Sequence, residues 1–395
     1  MPHILHLGVG NFFRAHQAWY TQHCPGWHVT GVSFRSASIR DQLAAQDYTY
    51  ALVIKDAART RIEQITCITG MLVATESPED LITTIADPKF DVISLTVTEK
   101  GYHLHADGSL NLGSAAIVAD LAGGGLTPVG ALARGLAQRS TPVTVLSCDN
   151  LPENGRKLGA AIAAFAKAAG LNISVHVTYP SCMVDRITPA TTDDIRAEAG
   201  DAMAVPTEEF TEWVIEDSFA ASRPNWPGVQ WVKDVAPHEM RKLRMLNGAH
   251  SYLAYAGTRA GHCFVHQAIC DPALRAGARA VMQEAASTLP RNMQAQAGAY
   301  ADALITRFEN PNLHHRLHQI AMDGSQKIPI RILATLRDRT GADSPALESA
   351  VANWLAFVRS EVAQGNPLDD PMADQLAAAC RAEHPERALR ALIGA

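Results

Sequence analysis

The chain has 395 residues, of which 47% are hydrophobic and 19% charged, and its formal net charge at pH 7 is -6. A globular chain of this length can form two domains with sizeable cores. The negative charge and the lack of a basic run argue against nucleic acid and anionic membranes as partners, and no apolar run approaches the length of a transmembrane helix. Seven scattered cysteines without a C-x-x-C pair indicate neither a disulfide framework nor a zinc ribbon. We therefore expect a soluble, cytoplasmic protein.

The chain begins with a short apolar strand, a glycine turn and a helix, over residues 4–20. Gly8 permits a tight turn, and Gly10 lets the backbone approach a pyrophosphate, which the first N–H groups of the helix can bind. Phe13 stands where the third glycine of the usual G-x-G-x-x-G would be. The pattern therefore fits a dinucleotide site, but it also fits an ordinary strand-to-helix turn.

A second strand is predicted over residues 28–34, and the residue after it bears on the choice of cofactor. An acidic side chain at this place would bind the ribose 2′-hydroxyl of NAD. Arg35 stands there instead. It could meet the 2′-phosphate of NADP, or it could be a charge that faces solvent.

Later strands bring polar side chains to one edge of the predicted sheet. Ligands of open parallel sheets lie beyond the carboxyl ends of the strands, so Thr98, Glu99 and Lys100 should lie near the cofactor or the substrate. Asn150 follows another strand and can donate a hydrogen bond to a developing negative charge. The strands expected after the second are at residues 50–55, 61–68, 91–97, 142–148, 174–178, 210–215 and 230–235.

Asp185 and Arg186 follow the predicted strand at residues 174–178. They are either a structural ion pair or part of a site. Several prolines then precede residue 237, and beyond it strand signals almost vanish. We place a domain boundary there, with domains over residues 1–236 and 237–395. The helices predicted after the first of that domain cover residues 272–288, 292–309, 313–322, 329–340, 345–363 and 371–379, and residues 323–327 form a glycine loop.

One long helix is predicted over residues 237–257, and it carries the most unusual polar set in the chain. At about 100° per residue, Glu239, Lys242, Asn247 and His250 fall within an arc of roughly 140° on a helix that is otherwise mostly apolar. Taken singly, a lysine or histidine here could be a snorkelling or a core residue. Taken together, the set favours an active site, because a lysine can act as a base and an asparagine can stabilise an alkoxide.

These segments together resemble the polyol-specific long-chain dehydrogenase family. The resemblance implies an α/β fold, with a Rossmann-type amino-terminal domain that binds NAD and a mostly α-helical carboxyl-terminal domain, a cleft between them and no metal. NADP remains open because of Arg35. The motifs run in family order along most of the chain: Gly8-x-Gly10-x-Phe12-x-Arg14, residues 96–102, Cys148-Asp-Asn150, residues 183–186, residues 213–217, residues 242–250 and residues 323–327.

The resemblance also implies roles for individual residues. In proton transfer, Lys242 is the general base, Asn150 and Asn247 donate hydrogen bonds to the oxyanion, and Glu239 links the proton to solvent. The residues that bind the substrate are His250, Asp185 and Lys327. The cofactor contacts, with the strand-end positions included, are Gly8, Gly10, Asn11, Phe12, Arg14, Arg35, Thr98 and Glu99.

The substrate that the resemblance implies is a small sugar acid or a polyol. Lys100 and Gln319 favour the members that act on sugar acids, because the mannitol-oxidising members tend to have glycine and arginine at these places. Lys100 and Lys327 could then meet the carboxylate. We expect a metal-independent oxidoreductase, as a monomer or small homo-oligomer; a polyol dehydrogenase is the alternative, and a nucleotide-binding regulator without turnover is a third hypothesis.

Overall fold

The computed structural model describes residues 2–105, 107–339 and 343–395, with the side chain of Glu99 left outside the description. The chain divides into two compact units, Met1–Ala236 and Pro237–Ala395. None of the helices in the described ranges combines the length and the hydrophobicity that crossing a bilayer requires.

In the described residues, the strands all belong to the first unit. They are β1 (His3–Leu7), β2 (His28–Ser33), β3 (Tyr50–Lys55), β4 (Thr60–Ile65), β5 (Ile68–Val73), β6 (Phe90–Leu95), β7 (Val143–Ser147), β8 (Val177–Thr178), β9 (Cys182–Asp185), β10 (Val205–Glu208), β11 (Glu212–Glu216) and β12 (Gln230–Val232).

The main sheet has six strands in the order β5-β2-β1-β6-β7-β8, and every neighbouring pair is parallel. This is the strand order of dinucleotide-binding folds, in which the chain changes direction between the first and the fourth strand of the sheet. Here those strands are β1 and β6, so their carboxyl ends mark the place where such folds bind ligands. The Rossmann-type fold expected from the sequence is confirmed.

Two small sheets complete the first unit. β3, which covers the strand predicted over residues 50–55, pairs antiparallel with β4, and β10 runs parallel to β3. The strand predicted over residues 61–68 is divided, because β4 ends at Ile65 and Ile68 begins β5 in the main sheet. The other sheet has the order β12-β11-β9. The strand predicted over residues 174–178 is shorter than expected, because only Val177 and Thr178 pair with β7.

Several helices of the first unit pack on the main sheet, whereas α8 contacts β3 of a small sheet. The helices in its described residues are α1 (Asn11–Ala15), α2 (Gln17–Gln22), α3 (Ser38–Ala44), α4 (Pro78–Ala86), a 3-10 turn (Glu99–Tyr102), α5 (Ala115–Leu121), α6 (Pro128–Gln138), α7 (Asn154–Ala168) and α8 (Asp193–Ala199). The start of α6 shows how the local sequence sets a helix boundary. Pro128 occupies the first turn, and the Thr127 hydroxyl accepts a hydrogen bond from the Gly130 N–H at 3.0 Å.

In the described residues of the second unit, the regular elements are helices joined by loops. Its helices are α9 (Ala236–Arg241), a first π turn (Lys242–Leu246), α10 (Asn247–Arg259), α11 (Val265–Cys270), α12 (Pro272–Ala286), α13 (Arg291–Gln294), α14 (Ala297–Phe308), α15 (Leu317–Ala321), α16 (Gly324–Ile328), a second π turn (Pro329–Leu333), α17 (Ala334–Asp338), α18 (Pro345–Gln364), α19 (Ala373–Cys380) and α20 (Pro385–Ile393). Helix α10 is central, since Leu253, Ala254 and Tyr255 are fully buried among α12, α15 and α18.

Two sequence predictions for this unit are wrong. The helix expected over residues 237–257 is interrupted by the first π turn. The glycine loop expected over residues 323–327 is the start of a helix: Asp323 takes a left-handed conformation with φ 54°, and α16 begins at Gly324. The Asp-Gly pair is typical of a turn, but here it forms the amino-terminal boundary of a helix.

Candidate active site

The glycine turn after β1 is fixed by both neighbouring strands. Gly8 has φ +103°, a conformation that side chains strongly disfavour, and its N–H donates to the Val32 carbonyl at 2.9 Å. A Cβ on Gly8 would lie 3.2 Å from the carbonyl oxygen of Thr96, just beyond β6. The turn therefore lies tightly against the strand end where dinucleotide folds bind their ligand.

His6 supports this turn, and the sequence analysis missed it. Its Nε2 lies 2.9 Å from the Thr96 hydroxyl, which itself donates to the Gly8 carbonyl at 2.7 Å, and its Nδ1 lies 2.8 Å from the Ser94 hydroxyl. Burial lowers the pKa of His6 to about 3, so the ring is neutral at pH 7. Phe13 stacks on the ring with the centroids 3.7 Å apart. A single histidine in an apolar strand gives no sequence signal of this role.

The start of α1 can accept a phosphate group. Gly10 precedes the helix in an extended conformation, and a Cβ added to it would meet nothing within 4 Å. No side chain caps the first turn of α1. Its leading N–H groups therefore offer the donors that a dinucleotide site uses, and the space beside Gly10 allows close approach.

Arg14 is buried and holds the turn from within the first unit. Its guanidinium donates to the Met203 carbonyl at 2.6 Å and to the Asn11 side chain at 2.7 Å. The Asn11 amide in turn donates to the Thr191 hydroxyl at 3.3 Å. Phe12 is half-buried and stacks on His16. The geometry thus gives Arg14 a positioning role through Asn11.

The residues predicted at the strand ends lie in the loops after β6 and β7. Thr98, Lys100 and Asn150 are exposed, while the side chain of Glu99 lies outside the described residues. The buried Tyr102 hydroxyl lies 2.9 Å from the Ser147 hydroxyl, which links the loop after β6 to β7. This bond fixes the backbone on which Lys100 and Thr98 sit.

The remaining predicted residues of the first unit differ in exposure. Asp185 is buried at the end of β9, whereas Arg35 is exposed two residues beyond β2. The guanidinium of Arg186 donates to the carbonyls of Glu208 and Ala15, so Arg186 joins separate backbone segments. In the described part of the chain, no group of three or more His, Cys, Asp or Glu side chains is arranged to hold a metal ion.

In the second unit, the first π turn aligns the polar residues. The N–H of Asn247 bonds to the carbonyl of Lys242, five residues earlier. In an α-helix, residues five apart point about 140° away from each other. The wider π turn instead places Asn247 roughly one turn above Lys242, and His250 follows three residues later. The interruption therefore brings the three side chains closer to one face than an unbroken helix would.

His250 is buried in a basic environment. Its ring lies 4.5 Å from that of Phe308 and 5.5 Å from that of His315, measured between centroids. Burial, reinforced by His315, Arg307, Arg331 and Lys242, lowers the pKa of His250 well below its ordinary value. The ring is therefore neutral at pH 7, and its Nε2 has no hydrogen-bond partner among the described residues.

The second π turn lies beside the first. Pro329 begins it, and the lack of a proline N–H together with the bulk of the ring prevents a regular α-helix at this place. A Cβ on Gly248 would be 3.6 Å from Ile332, which shows how closely α10 approaches this turn. Lys327 lies just before the turn, donates to the Ile320 carbonyl at 3.2 Å, and has its pKa lowered to about 8, mainly by burial.

The first unit has a parallel sheet with a glycine turn at the place where the strand order reverses. The second unit is helical and carries a cluster of a lysine, an asparagine and a histidine. Together these features define the class of Rossmann-type oxidoreductases. Residues 2–228 match the family described as the mannitol dehydrogenase Rossmann domain, and residues 234–393 match the mannitol dehydrogenase C-terminal domain. The chain therefore belongs to the mannitol dehydrogenase family, as the sequence resemblance predicts.

Named relatives span sugar-acid and polyol enzymes. The chain is 38% identical to the D-mannonate oxidoreductase of Escherichia coli, over 93% of this chain and 83% of that protein. It is 36% identical to a mannitol 2-dehydrogenase of Phaeosphaeria nodorum, over 95% of this chain and 72% of that protein. The structure of Pseudomonas fluorescens mannitol 2-dehydrogenase with NAD and D-mannitol matches with a TM-score of 0.85 and 32% identity, over 100% of this chain and 91% of that one.

Proposed function

We propose that this protein interconverts a sugar-acid ketone and its secondary alcohol with NAD(H), as a D-mannonate oxidoreductase, also called fructuronate reductase. The observation that carries the proposal is the alignment of Lys242, Asn247 and His250 by the first π turn of a mannitol dehydrogenase family chain. The bound nicotinamide supplies the hydride for reduction and accepts it in oxidation.

The chain's own residues handle the proton and the developing charge. In oxidation, neutral Lys242 takes the hydroxyl proton, and the amides of Asn247 and Asn150 donate to the alkoxide oxygen. The reverse direction returns that proton to the oxygen of the reduced carbonyl. Neutral His250 offers Nε2 to a substrate hydroxyl. Glu239 exchanges the proton of Lys242 with solvent.

The glycine turn supports NAD binding in the first unit. The open space beside Gly10 and the uncapped start of α1 fit a pyrophosphate, with Thr98, Glu99 and Phe12 as further contacts. Arg35 is exposed beyond β2, where a 2′-phosphate could reach it. We therefore propose NAD as the main cofactor with only modest discrimination against NADP.

A sugar acid is favoured over a polyol by the basic character of the helical unit around His250, where Arg307, Arg331 and Lys242 all act on one ring. A desolvated carboxylate needs such cations. Asp185 and Lys327 are the proposed contacts to the sugar hydroxyls, and Lys100 a proposed contact to the acid. The second candidate is a mannitol 2-dehydrogenase, favoured by the likeness to the mannitol complex.

A nicotinamide absorbance assay tests the proposal. The protein is assayed with D-fructuronate, D-fructose and other ketoses, each with NADH and with NADPH. We expect the fastest turnover with the uronate and NADH. Faster turnover of D-fructose would support the mannitol dehydrogenase alternative, and faster turnover with NADPH would assign Arg35 to the 2′-phosphate.

A further inference from the structure

Arg331 is a half-buried arginine whose guanidinium has few partners among the described residues. Among the described residues its Nη1 donates to the Ser251 hydroxyl at 3.2 Å, and its Nε is sealed from solvent without a hydrogen-bond partner. No ion pair joins Arg331 to a carboxylate in the described part of the chain. Desolvation lowers the pKa of Arg331, so a cation that has only one neutral partner here would gain from an anion beside it.

Three buried arginines show what a purely structural arginine looks like in this fold. The guanidinium of Arg139 donates to four backbone carbonyls, at 2.6 to 3.0 Å. Arg186 donates to the carbonyls of Glu208 and Ala15, and Arg14 uses both terminal nitrogens. Arg331, by contrast, leaves its terminal Nη2 without a described acceptor and not sealed from solvent; its Nε also has no partner, but the same is true of the Nε of Arg14. An accessible terminal nitrogen of a guanidinium can donate a charge-assisted hydrogen bond to a carboxylate.

The position of Arg331 relates this nitrogen to the candidate active site. Arg331 lies in the second π turn, beside α10, and its bond to Ser251 places it next to the residue that follows His250. Its charge contributes to lowering the pKa values of both His250 and Lys327. The guanidinium is therefore within electrostatic reach of two residues that the proposed function assigns to the substrate.

We propose that Arg331 binds the terminal carboxylate of the substrate through its accessible Nη2 and thereby selects a sugar acid over the corresponding polyol. The inference rests on the proposed function, and it adds a second cation to the contact with the acid proposed for Lys100. A lone arginine in the apolar run Ile328 to Leu333 ordinarily indicates a solvent-facing charge, which is why the sequence analysis passed over it.

The test compares D-mannonate with D-mannitol, which differ at the terminal carbon that bears the acid. Oxidation of each by NAD is measured for the unmodified protein, for Arg331→Gln and for Arg331→Lys, with Arg337→Gln as the control at an exposed arginine of α17. We expect Arg331→Gln to raise KM for D-mannonate by about 30-fold or more and to change kcat/KM for D-mannitol less than about 3-fold. Arg331→Lys should lose roughly 10-fold on D-mannonate, because it keeps the charge and loses the planar guanidinium that fixes the direction of the donor.

The outcomes separate this inference from the proposed function. If the unmodified protein oxidises D-mannitol faster than D-mannonate, the proposed function fails and the inference fails with it. If the unmodified protein prefers D-mannonate but Arg331→Gln loses equally on both substrates, or instead raises KM for NAD, only the role of Arg331 is overturned. Thermal unfolding of each variant checks that it folds. If Arg331→Gln does not fold, Arg331→Lys is used in its place. A ratio of kcat/KM for D-mannonate to kcat/KM for D-mannitol that is unchanged in Arg331→Lys would then overturn the inference.

Discussion

At the residue scale, the proposed proton chemistry depends on Lys242. Replacing it with alanine removes the proposed base but no core contact, because the side chain is only half-buried. We expect Lys242→Ala to lose about 100-fold to 10,000-fold in kcat and to keep its unfolding temperature. Lys167→Ala, at an exposed lysine in the last turn of α7, is the control. Near-normal turnover of Lys242→Ala at neutral pH would mean that another group is the base.

Gly8 and Gly10 should respond differently to substitution although they lie in one turn. A Cβ on Gly10 faces open space, so Gly10→Val should fold normally and weaken NADH binding by blocking the pyrophosphate. Gly8→Ala should instead destabilise the fold, by about 1 to 3 kcal/mol, because φ is +103° and the Thr96 carbonyl is close. Fluorescence titration with NADH and thermal unfolding of both variants check this. Unchanged NADH affinity in Gly10→Val would place the dinucleotide elsewhere.

At the element scale, helix α16 depends on Gly324. This helix carries Lys327 and leads into the second π turn. A Cβ on Gly324 would lie 2.3 Å from the Trp354 Nε1 and 2.8 Å from the Tyr255 hydroxyl. Gly324→Ala should therefore cost about 1 to 3 kcal/mol of unfolding free energy. Gly298→Ala, in α14 with nothing within 4 Å, should stabilise by about 0.5 to 1 kcal/mol. Urea unfolding measures the free energy of unfolding of the two variants. Equal values would contradict the close packing at Gly324.

The elements also show what the sequence could reveal. The strand before Gly8 and the strand before Thr98 were predictable, because apolar runs that end in glycine or polar residues are strong local signals. The first π turn was not predictable, because the pattern of residues 242–246 fits an α-helix equally well. Its hydrogen bond between residues five apart accompanies packing against the second π turn. The supporting role of His6 was not predictable either, because its partners Ser94 and Thr96 are distant in sequence.

At the scale of the whole molecule, buried neutral histidines should make the protein sensitive to mild acid. The pKa is lowered from 6.5 to about 3 for His6 and to about 4 for His315, by burial in both cases. Below pH 6.5 the unfolded chain binds protons that the folded chain does not, so stability falls as the pH falls from 6.5 towards these values.

We expect each of these histidines to cost about 1 kcal/mol of unfolding free energy between pH 7.0 and pH 5.5. Urea unfolding at the two pH values measures the loss, and His6→Gln should reduce it, whereas His105→Gln, at an exposed position, should leave it unchanged. A pH dependence that is the same with and without His6 would show that its ring is not held neutral.

The central claim is that this member of the mannitol dehydrogenase family acts on a sugar acid, and one competition experiment tests it most directly. D-fructuronate and D-fructose at equal concentrations are reduced together with NADH, and the ratio of the two initial product rates gives the ratio of kcat/KM. The account predicts that kcat/KM for D-fructuronate exceeds that for D-fructose by about 30-fold or more. This is the discrimination expected because D-fructose leaves a desolvated cation without its partner carboxylate. A ratio near one, or an excess of the product from D-fructose, would contradict it.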